Sequence, residues 1–336
     1  SQSPSKCQQN AGHRIGCPYL IKFSVAVLFS FQDYQVFSFY LENKPQHLAL
    51  IHPKEWEFAQ ASTLGLYDYL RKSKSKGFVL SLSGGADSSS IAVLVAEMVR
   101  RGIHELGVEK FVEKSGIQLT HGSNNPEKEL VNQLLTTAYQ GTRNSSDDTF
   151  QSAKNLAESL GAQFYAWTID EEVTSYTEKI ETALGRKLTW ETDDLALQNI
   201  QARSRSPIIW LLTNIKNALL LSTSNRSEGD VGYATMDGDT SGSISPIAAV
   251  DKHFILHWLR WAEKNLDRPG LSAVNSLTPT AELRPIERTQ TDEKDLMPYS
   301  VIVEIERLAI RDRRSPMDVF LLLKEELKSV NEHIKS

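Results

Sequence analysis

The residue types best suited to chemistry form one short segment, SGGADS at residues 83–88. Two consecutive glycines let a ligand approach the main chain closely, and a helix starting here would point backbone N–H groups at it. Such a turn brings several main-chain N–H groups to one point, so phosphate is the expected ligand. The segment is not a GxxxxGK[ST] P-loop, because no lysine follows the glycines. The alternative is a simple turn with an acid favourably placed at a helix start.

A second polar segment, residues 222–246, is dense in glycine, serine, threonine and carboxylates. A loop of this length without an apolar pattern is more often functional than structural. It contains Glu228 and Asp239, and Lys252 follows shortly after it. Because this loop also follows a predicted strand, it is expected to lie beside the first segment at one edge of a sheet.

The surrounding elements predict an α/β fold with a doubly wound parallel sheet. Short apolar segments alternate with helical patterns, which is typical of βαβ units. The predicted strands are residues 78–82, 134–140, 163–169 and 218–223. Because ligands bind beyond the carboxyl ends of such strands, the loops at residues 83–88, 141–149 and 222–246 are expected to meet there.

Apolar spacing predicts helices over residues 53–72, 88–100, 171–184 and 193–217, from residue 250, and over 316–334. Pro207 is expected to kink or break the helix that contains it. Ser145 or Ser146 would cap a further helix, which ends before Gly161. Residues 102–133 are poorly patterned and indicate an insertion with one or two short helices.

With 40% of its 336 residues hydrophobic, the chain can bury one large α/β core, or a core plus a small appendage. A net charge of −5 supplies no basic field, so a general nucleic-acid binder is disfavoured. Cys7 and Cys17 form neither a disulfide framework nor a zinc site, and a reducing, cytoplasmic location is expected. The apolar run at residues 21–31 is too short to span a bilayer, so no membrane association is expected.

Taken together, the motifs resemble those of the NAD synthetases, which belong to the N-type ATP pyrophosphatases. SGGADS is similar to their pyrophosphate loop, and STSNRSEGDVGYATMDGDTSGSISPIAAVDK at residues 222–252 is similar to their signature. QNIQARSR at 198–205 and PTAEL at 279–283 are further matches, and the resemblance covers about residues 56–287. It implies an adenine nucleotide alpha hydrolase-like, Rossmann-like fold with a helical C-terminal part.

The resemblance implies amidation of nicotinic acid adenine dinucleotide to NAD. The substrate carboxylate attacks the α-phosphorus of ATP, pyrophosphate leaves, and ammonia then expels AMP from the adenylate. Negative charge develops on phosphate oxygens, so cations and N–H donors are expected to dominate catalysis.

Residue roles follow from the same resemblance. Asp87, Lys252 and Thr280 are the expected catalytic residues, with Lys252 and Thr280 on phosphate oxygens. Magnesium ligands are Asp87 and Glu228, with Asp239 for a second ion. The nucleotides would be bound by Ser83, Gly84, Gly85, Asp87, Ser88, Ser145, Arg203, Thr223, Lys252 and Thr280. Within this set, Arg203 is assigned to the dinucleotide and Ser145 to ATP.

The expected organisation is a synthetase domain at residues 53–336 preceded by a segment at 1–52. FSFQDYQVF at residues 29–37 resembles the closing strands of the glutaminase domain in the long, glutamine-dependent form, which indicates that this glutaminase is missing. No glutaminase active site can be assembled around the two cysteines. Glutamine would therefore require a glutaminase domain or subunit. Family members are homodimers that bind the dinucleotide across the interface, and the helix from Asp193 is the candidate contact.

Two alternatives remain open. One is another PP-loop ATP pyrophosphatase, either GMP synthetase-like or tRNA-modifying. The other is a non-catalytic nucleotide-binding scaffold subunit, which turnover with ammonium salt would exclude. Trp258 and Trp261 indicate core or dimer interface more than a cofactor stack.

Overall fold

A computed structural model describes residues 53–117, 124–277, 283–284 and 296–324. Thr280, both cysteines and the predicted strand region of the N-terminal segment lie outside these ranges. Among the described residues, no helix has the length and apolar character needed to cross a bilayer.

In the described part of the chain, four parallel strands form the sheet: β1 (Phe78–Ser81), β2 (Leu135–Gly141), β3 (Gln163–Thr168) and β4 (Leu219–Leu221). Their order is β3-β2-β1-β4, and Phe78 pairs with both Leu135 and Leu219. The direction of strand succession therefore reverses at β1, which is the switch point where parallel sheets bind ligands. The predicted doubly wound α/β sheet is confirmed.

Helices cover both faces of the sheet. They are α1 (Lys54–Ser73), α2 (Ala86–Leu106), α3 (Val108–Ser115), α4 (Pro126–Leu134), α5 (Asp147–Leu160), α6 (Asp170–Leu184), α7 (Asp194–Lys216), α8 (Arg226–Val231), α9 (Lys252–Asn265), α10 (Leu271–Ser276) and α11 (Tyr299–Glu306). A π-helical turn, Arg307–Arg311, follows α11, and residues 316–324 are helical.

Alternate strand residues separate into two cores, as the two-residue period of a strand requires. Phe78 and Leu80 pack in the larger cluster with α2 and α5, whereas Val79 packs with Ile209 of α7 on the opposite face. Trp258 of α9 is fully buried in the larger cluster, so its predicted place in the core is confirmed.

Ser146, rather than Ser145, caps α5. Its Oγ accepts a hydrogen bond from the Thr149 N–H at 3.3 Å, and Gly161 ends the helix in the left-handed conformation with φ at +82°. The cap leaves Ser145 in the preceding turn, where its Oγ accepts from the Thr142 N–H at 3.1 Å.

Two helices differ from their sequence predictions, one in its length and the other in its continuity. The first, α2, begins at Ala86 inside the glycine-rich segment and ends at Leu106, so Asp87 lies in its first turn. The second, α7, continues through Pro207, and the prediction of a break there is wrong. A proline removes one main-chain hydrogen bond, and buried residues on both sides, including Ala202 and Ile209, hold the helix against the sheet.

Candidate active site

Three loops leave the carboxyl ends of β1, β2 and β4 and meet around a cavity of about 600 Å³. Loops that follow parallel strands share one edge of the sheet, which is why segments far apart in sequence come together here. Predicted residues that line this cavity are Ser83, Gly85, Asp87, Ser145, Thr223, Glu228, Asp239 and Lys252.

The glycine-rich loop is held open by its own backbone and hydroxyls. Gly84 has φ at +84°, and a Cβ atom there would lie 2.2 Å from the Thr149 carbonyl oxygen, so only glycine fits. The Ser88 hydroxyl lies 3.1 Å from the Ser83 hydroxyl and accepts from the Ser83 N–H. No side chain caps α2 at Gly85. The helix N-terminus therefore keeps N–H groups for an anion.

Asp87, Glu228 and Lys252 form a compact charged cluster beside this loop. Lys252 Nζ donates to Asp87 Oδ2 and lies 3.3 Å from Glu228 Oε1. All three side chains are largely buried, with 16%, 13% and 4% of their surface exposed, respectively. Two buried carboxylates thus share one lysine, which leaves the cluster one positive charge short.

Asn225 joins the two carboxylate-bearing segments. Its Oδ1 caps α8 by accepting from the Glu228 N–H at 3.0 Å, and its Nδ2 donates to Asp87 Oδ1 at 3.0 Å. Sequence reasoning gave Asn225 no role, although an asparagine before Arg-Ser-Glu has the spacing of a helix cap. One amide therefore sets both the start of α8 and the position of Asp87.

Burial raises the pKa of both acids in this loop, Glu228 and Asp239. The pKa of Glu228 is raised, first by burial and then by the neighbouring Asp87 carboxylate. Burial also raises the pKa of Asp239, although the Thr235 N–H, which donates to Asp239 Oδ1 at 2.7 Å, acts in the opposite direction. Both carboxyl groups therefore keep their protons to higher pH than solvent-exposed acids do.

Replacing Glu228 with glutamine is expected to stabilise the nucleotide-free protein by about 0.5–2 kcal/mol, at the expense of activity. The unfolded chain ionises this carboxyl near its ordinary value of 4.5, whereas the folded protein retains the proton to higher pH. Ionisation therefore opposes folding, and the advantage of the variant should grow as pH rises above 4.5. Urea unfolding at pH 5 and pH 8 measures it. An equal difference at both pH values would contradict this explanation.

The residues fit a magnesium ion. A carboxylate pair with insufficient positive charge, next to a phosphate-sized loop, provides the ligands that this ion takes alongside substrate phosphates. Within the part of the chain that the structure describes, no group of three or more histidine, cysteine, aspartate or glutamate residues is arranged to hold a metal by itself. The arrangement accordingly suits an ion that arrives with phosphate oxygens as its further ligands.

The remaining predicted residues lie in different places. Gly84 and Ser88 support the loop from behind the cavity lining. Arg203 is exposed, and its Nε donates to the Met236 carbonyl at 2.9 Å, so it braces the second loop. Its role toward the dinucleotide stays a prediction. Thr223 lies in the lining, and its N–H donates to the Asp239 carbonyl at 3.3 Å.

Gln140 and Arg205 are cavity residues to which sequence reasoning gave no role. Gln140, at the end of β2, donates through Nε2 to Ser81 Oγ at 3.1 Å, while its buried Oε1 has no partner among the described residues. Arg205 of α7 donates through Nε to the Gln140 carbonyl at 3.0 Å and adds a cation to the lining. Gln140 has no distinctive local pattern, whereas Arg205 ends the QNIQARSR segment, in which only Arg203 was given a role.

Comparison with known proteins decides the family. The family model described as NAD synthase matches residues 58–336. The chain belongs to the NAD synthase family. This match extends over the phosphate-binding loop, the charged cluster and α11, so the whole candidate site lies inside the family domain.

Curated relatives and solved structures agree with this assignment. The chain is 32% identical to a glutamine-dependent NAD(+) synthetase of Oryza sativa subsp. indica over 340 residues, which is 95% of this chain and 45% of the relative. A glutamine-dependent NAD(+) synthetase from Cytophaga hutchinsonii has 55% identity and a TM-score of 0.73 over 82% of this chain and 45% of that one. The chain thus spans about half the length of these two proteins.

A more distant structure supports the fold alone. NMN synthetase from Francisella tularensis has a TM-score of 0.56 at 22% identity, and the match covers 76% of this chain and 86% of that one. The architecture of this NAD synthase domain is therefore shared beyond the glutamine-dependent proteins.

Proposed function

We propose that this chain catalyses the ATP-dependent amidation of nicotinic acid adenine dinucleotide to NAD, with release of AMP and pyrophosphate. The observation that carries the proposal is the Asp87–Lys252–Glu228 cluster beside a glycine-rich loop at the switch point of an NAD synthase fold. The proposal is also supported by similar proteins that are called glutamine-dependent NAD(+) synthetases.

Each part of the site has a task in this reaction. Main-chain N–H groups at the start of α2 and the Ser83 hydroxyl hold the β and γ phosphates of ATP. A magnesium ion held by Asp87 and Glu228 would stabilise charge on the phosphate oxygens. Lys252 neutralises the charge that develops as pyrophosphate leaves. Thr280 is proposed as a further hydrogen-bond donor to phosphate.

Ammonia is the proposed nitrogen donor at this site. Uncharged ammonia attacks the adenylate and AMP leaves, so this step requires no covalent bond between substrate and enzyme. The name of a relative more than twice as long includes glutamine dependence. We propose that a glutaminase domain or subunit would supply ammonia from glutamine to this chain.

Product release with alternative donors tests the function. AMP, pyrophosphate and NAD should form in equal amounts from ATP, magnesium and nicotinic acid adenine dinucleotide when ammonium is supplied. Glutamine should not replace ammonium in the isolated chain. Omitting the dinucleotide, or supplying nicotinic acid mononucleotide or XMP instead, serves as a substrate control. Absence of AMP with every donor, in a folded sample that binds ATP, would favour a scaffold subunit.

A homodimer is proposed on the face formed by β3, α6 and α7. β3 is an edge strand, and α6 has no buried residue. Large apolar side chains are exposed on these elements: Tyr165, Tyr176, Ile180, Leu184, Leu195, Leu211 and Ile215. Apolar exposure of this kind typically marks a protein interface. A second copy would cover it and bring both copies of α7 near the cavity that α7 lines.

Replacing Ile215 with glutamate is expected to raise the dimer dissociation constant by at least about 100-fold. Ile215 is 73% exposed, one turn from the exposed Leu211 on α7. A two-fold interface would bury the new charge twice, and an unpaired buried charge costs several kcal/mol. Sedimentation velocity measures the effect. Leu64→Glu on α1, at a position 59% exposed, is the matched control. A monomeric parent, or an unchanged Ile215→Glu dimer, would contradict the proposed interface.

A further inference from the structure

Arg226 contacts oxygen atoms of three residues, which lie on two segments of the chain. Its Nε donates to Glu306 Oε2 at 3.0 Å, and its Nη2 lies 3.2 Å from Asp251 Oδ2. Its Nη1 donates to the Ala249 carbonyl at 3.3 Å. A planar guanidinium can satisfy several acceptors in fixed directions, which a lysine ammonium cannot do with the same geometry. Arg226 therefore fixes the positions of these segments relative to one another.

Two of these contacts lie at the starts of α8 and α9, which carry Glu228 and Lys252 of the charged cluster. Arg226 is the first residue of α8, two positions before Glu228. Asp251 caps α9 by accepting from the Phe254 N–H at 2.7 Å, and Lys252 is the first residue of that helix. One guanidinium thus links the helix that positions Glu228 to the helix that positions Lys252.

The third contact comes from the C-terminal part of the chain. Glu306 ends α11 and is 6% exposed, and its other oxygen, Oε1, has no partner among the described residues. At the opposite end of α11, the Tyr299 ring centroid lies 6.0 Å from Lys252 Nζ. Thus α11 touches the charged cluster at one end and anchors Arg226 at the other.

We propose that Glu306 is a positioning residue, which acts through Arg226 to fix the separation of Glu228 and Lys252. This inference rests on the proposed function, because the cluster is taken to bind Mg·ATP. Glu306 touches neither phosphate nor metal ligand; its carboxylate orients a guanidinium, and that guanidinium orients both helix starts. Residues that orient metal ligands in this way typically change affinity or activity by about 10–100-fold when altered.

Glu306→Gln tests the inference, since it keeps the shape of the side chain and removes its charge. The expected result is a 10- to 100-fold rise in the magnesium concentration for half-maximal rate, with a matching fall in kcat. The KM for the dinucleotide should remain within about threefold, because the changed residue acts on the metal ligands. The matched control is Glu304→Gln on the same helix as Glu306. It changes a side chain that pairs with Arg307, and it should behave like the parent.

Arg226→Lys tests whether the geometry of the guanidinium matters rather than its charge. It retains a positive charge beside Glu306 and Asp251, yet it should reproduce the Glu306→Gln effect because one ammonium cannot hold all three acceptors. Thermal unfolding of each variant shows that the comparison is made on folded protein. Parent-like magnesium dependence in both variants, or an equal loss in Glu304→Gln, would overturn the inference.

Calorimetric titration of ATP, with and without magnesium, supplies a readout independent of turnover. Both positioning variants should lose 10- to 100-fold in magnesium-dependent ATP affinity while their magnesium-free affinity is unchanged. If the parent binds Mg·ATP but makes no NAD, the proposed function fails and this titration still decides the positioning role. Unchanged magnesium-dependent affinity in Glu306→Gln overturns that role whatever the activity.

Discussion

Replacing Lys252 with methionine is expected to lower kcat for NAD formation by about 10²–10³-fold, the range seen when one preorganised electrostatic group is removed. Lys252 Nζ contacts Asp87 and lies 3.3 Å from Glu228 Oε1, beside the phosphate-binding loop. Methionine has a similar length and no charge, so the change tests the cation itself. AMP release with saturating ammonium and dinucleotide measures it.

The same substitution should also destabilise the protein without ligands. Two buried carboxylates would lose their shared cation, and an uncompensated buried charge costs about 3–5 kcal/mol. Added magnesium should restore part of this loss, which urea unfolding would show. Lys264→Met, at an exposed position of the same helix, is the matched control. A Lys252→Met variant with parent-like kcat would remove lysine from the proposed mechanism.

Replacing Asp87 with asparagine is expected to reduce turnover by about 10³-fold and to abolish the magnesium dependence of ATP binding. Asp87 lies in the first turn of α2 and is a proposed magnesium ligand. Asparagine keeps the size of the side chain and an oxygen that can accept from Asn225 Nδ2. The lost property is therefore the negative charge that the metal requires.

Magnesium-dependent ATP titration and AMP release should change together in Asp87→Asn. Asp68→Asn on α1, which removes an exposed partner of Arg71 and Lys72, provides a control for removing a carboxylate charge. Retained magnesium dependence in Asp87→Asn would show that another residue holds the ion. The proposed assignment of Asp87, and with it the geometry of the cluster, would then be wrong.

The elements could be predicted from sequence because local rules determine them. Apolar runs bounded by glycine or polar loops identified all four strands, and the sheet is parallel because helices separate consecutive strands. Gly161 after a helical pattern and paired acids at residues 147–148 located α5 almost to the residue. The meeting of the loops around the cavity could be predicted from this alternation of strands and helices, since the carboxyl ends of parallel strands share an edge.

Features that depend on packing between distant segments could not be predicted. Local pattern offered Ser145 and Ser146 equally as the cap of α5, and only the folded turn chooses between them. Pro207 does not break α7, because buried contacts outweigh one missing hydrogen bond. The contact between Arg226 and Glu306 joins residues 80 positions apart, and nothing local in either segment indicates the other.

The same long separations have a consequence for how the site is completed during folding. Lys252 reaches Asp87 across 165 residues, and Glu306 reaches Arg226 across 80 residues. Contacts this distant in sequence form late, since loop closure must precede them. During synthesis the phosphate-binding loop and most of the sheet emerge first. An unfinished or truncated chain would therefore hold the anion-binding loop before it acquires the charged cluster, and catalytic competence would await the last described helices.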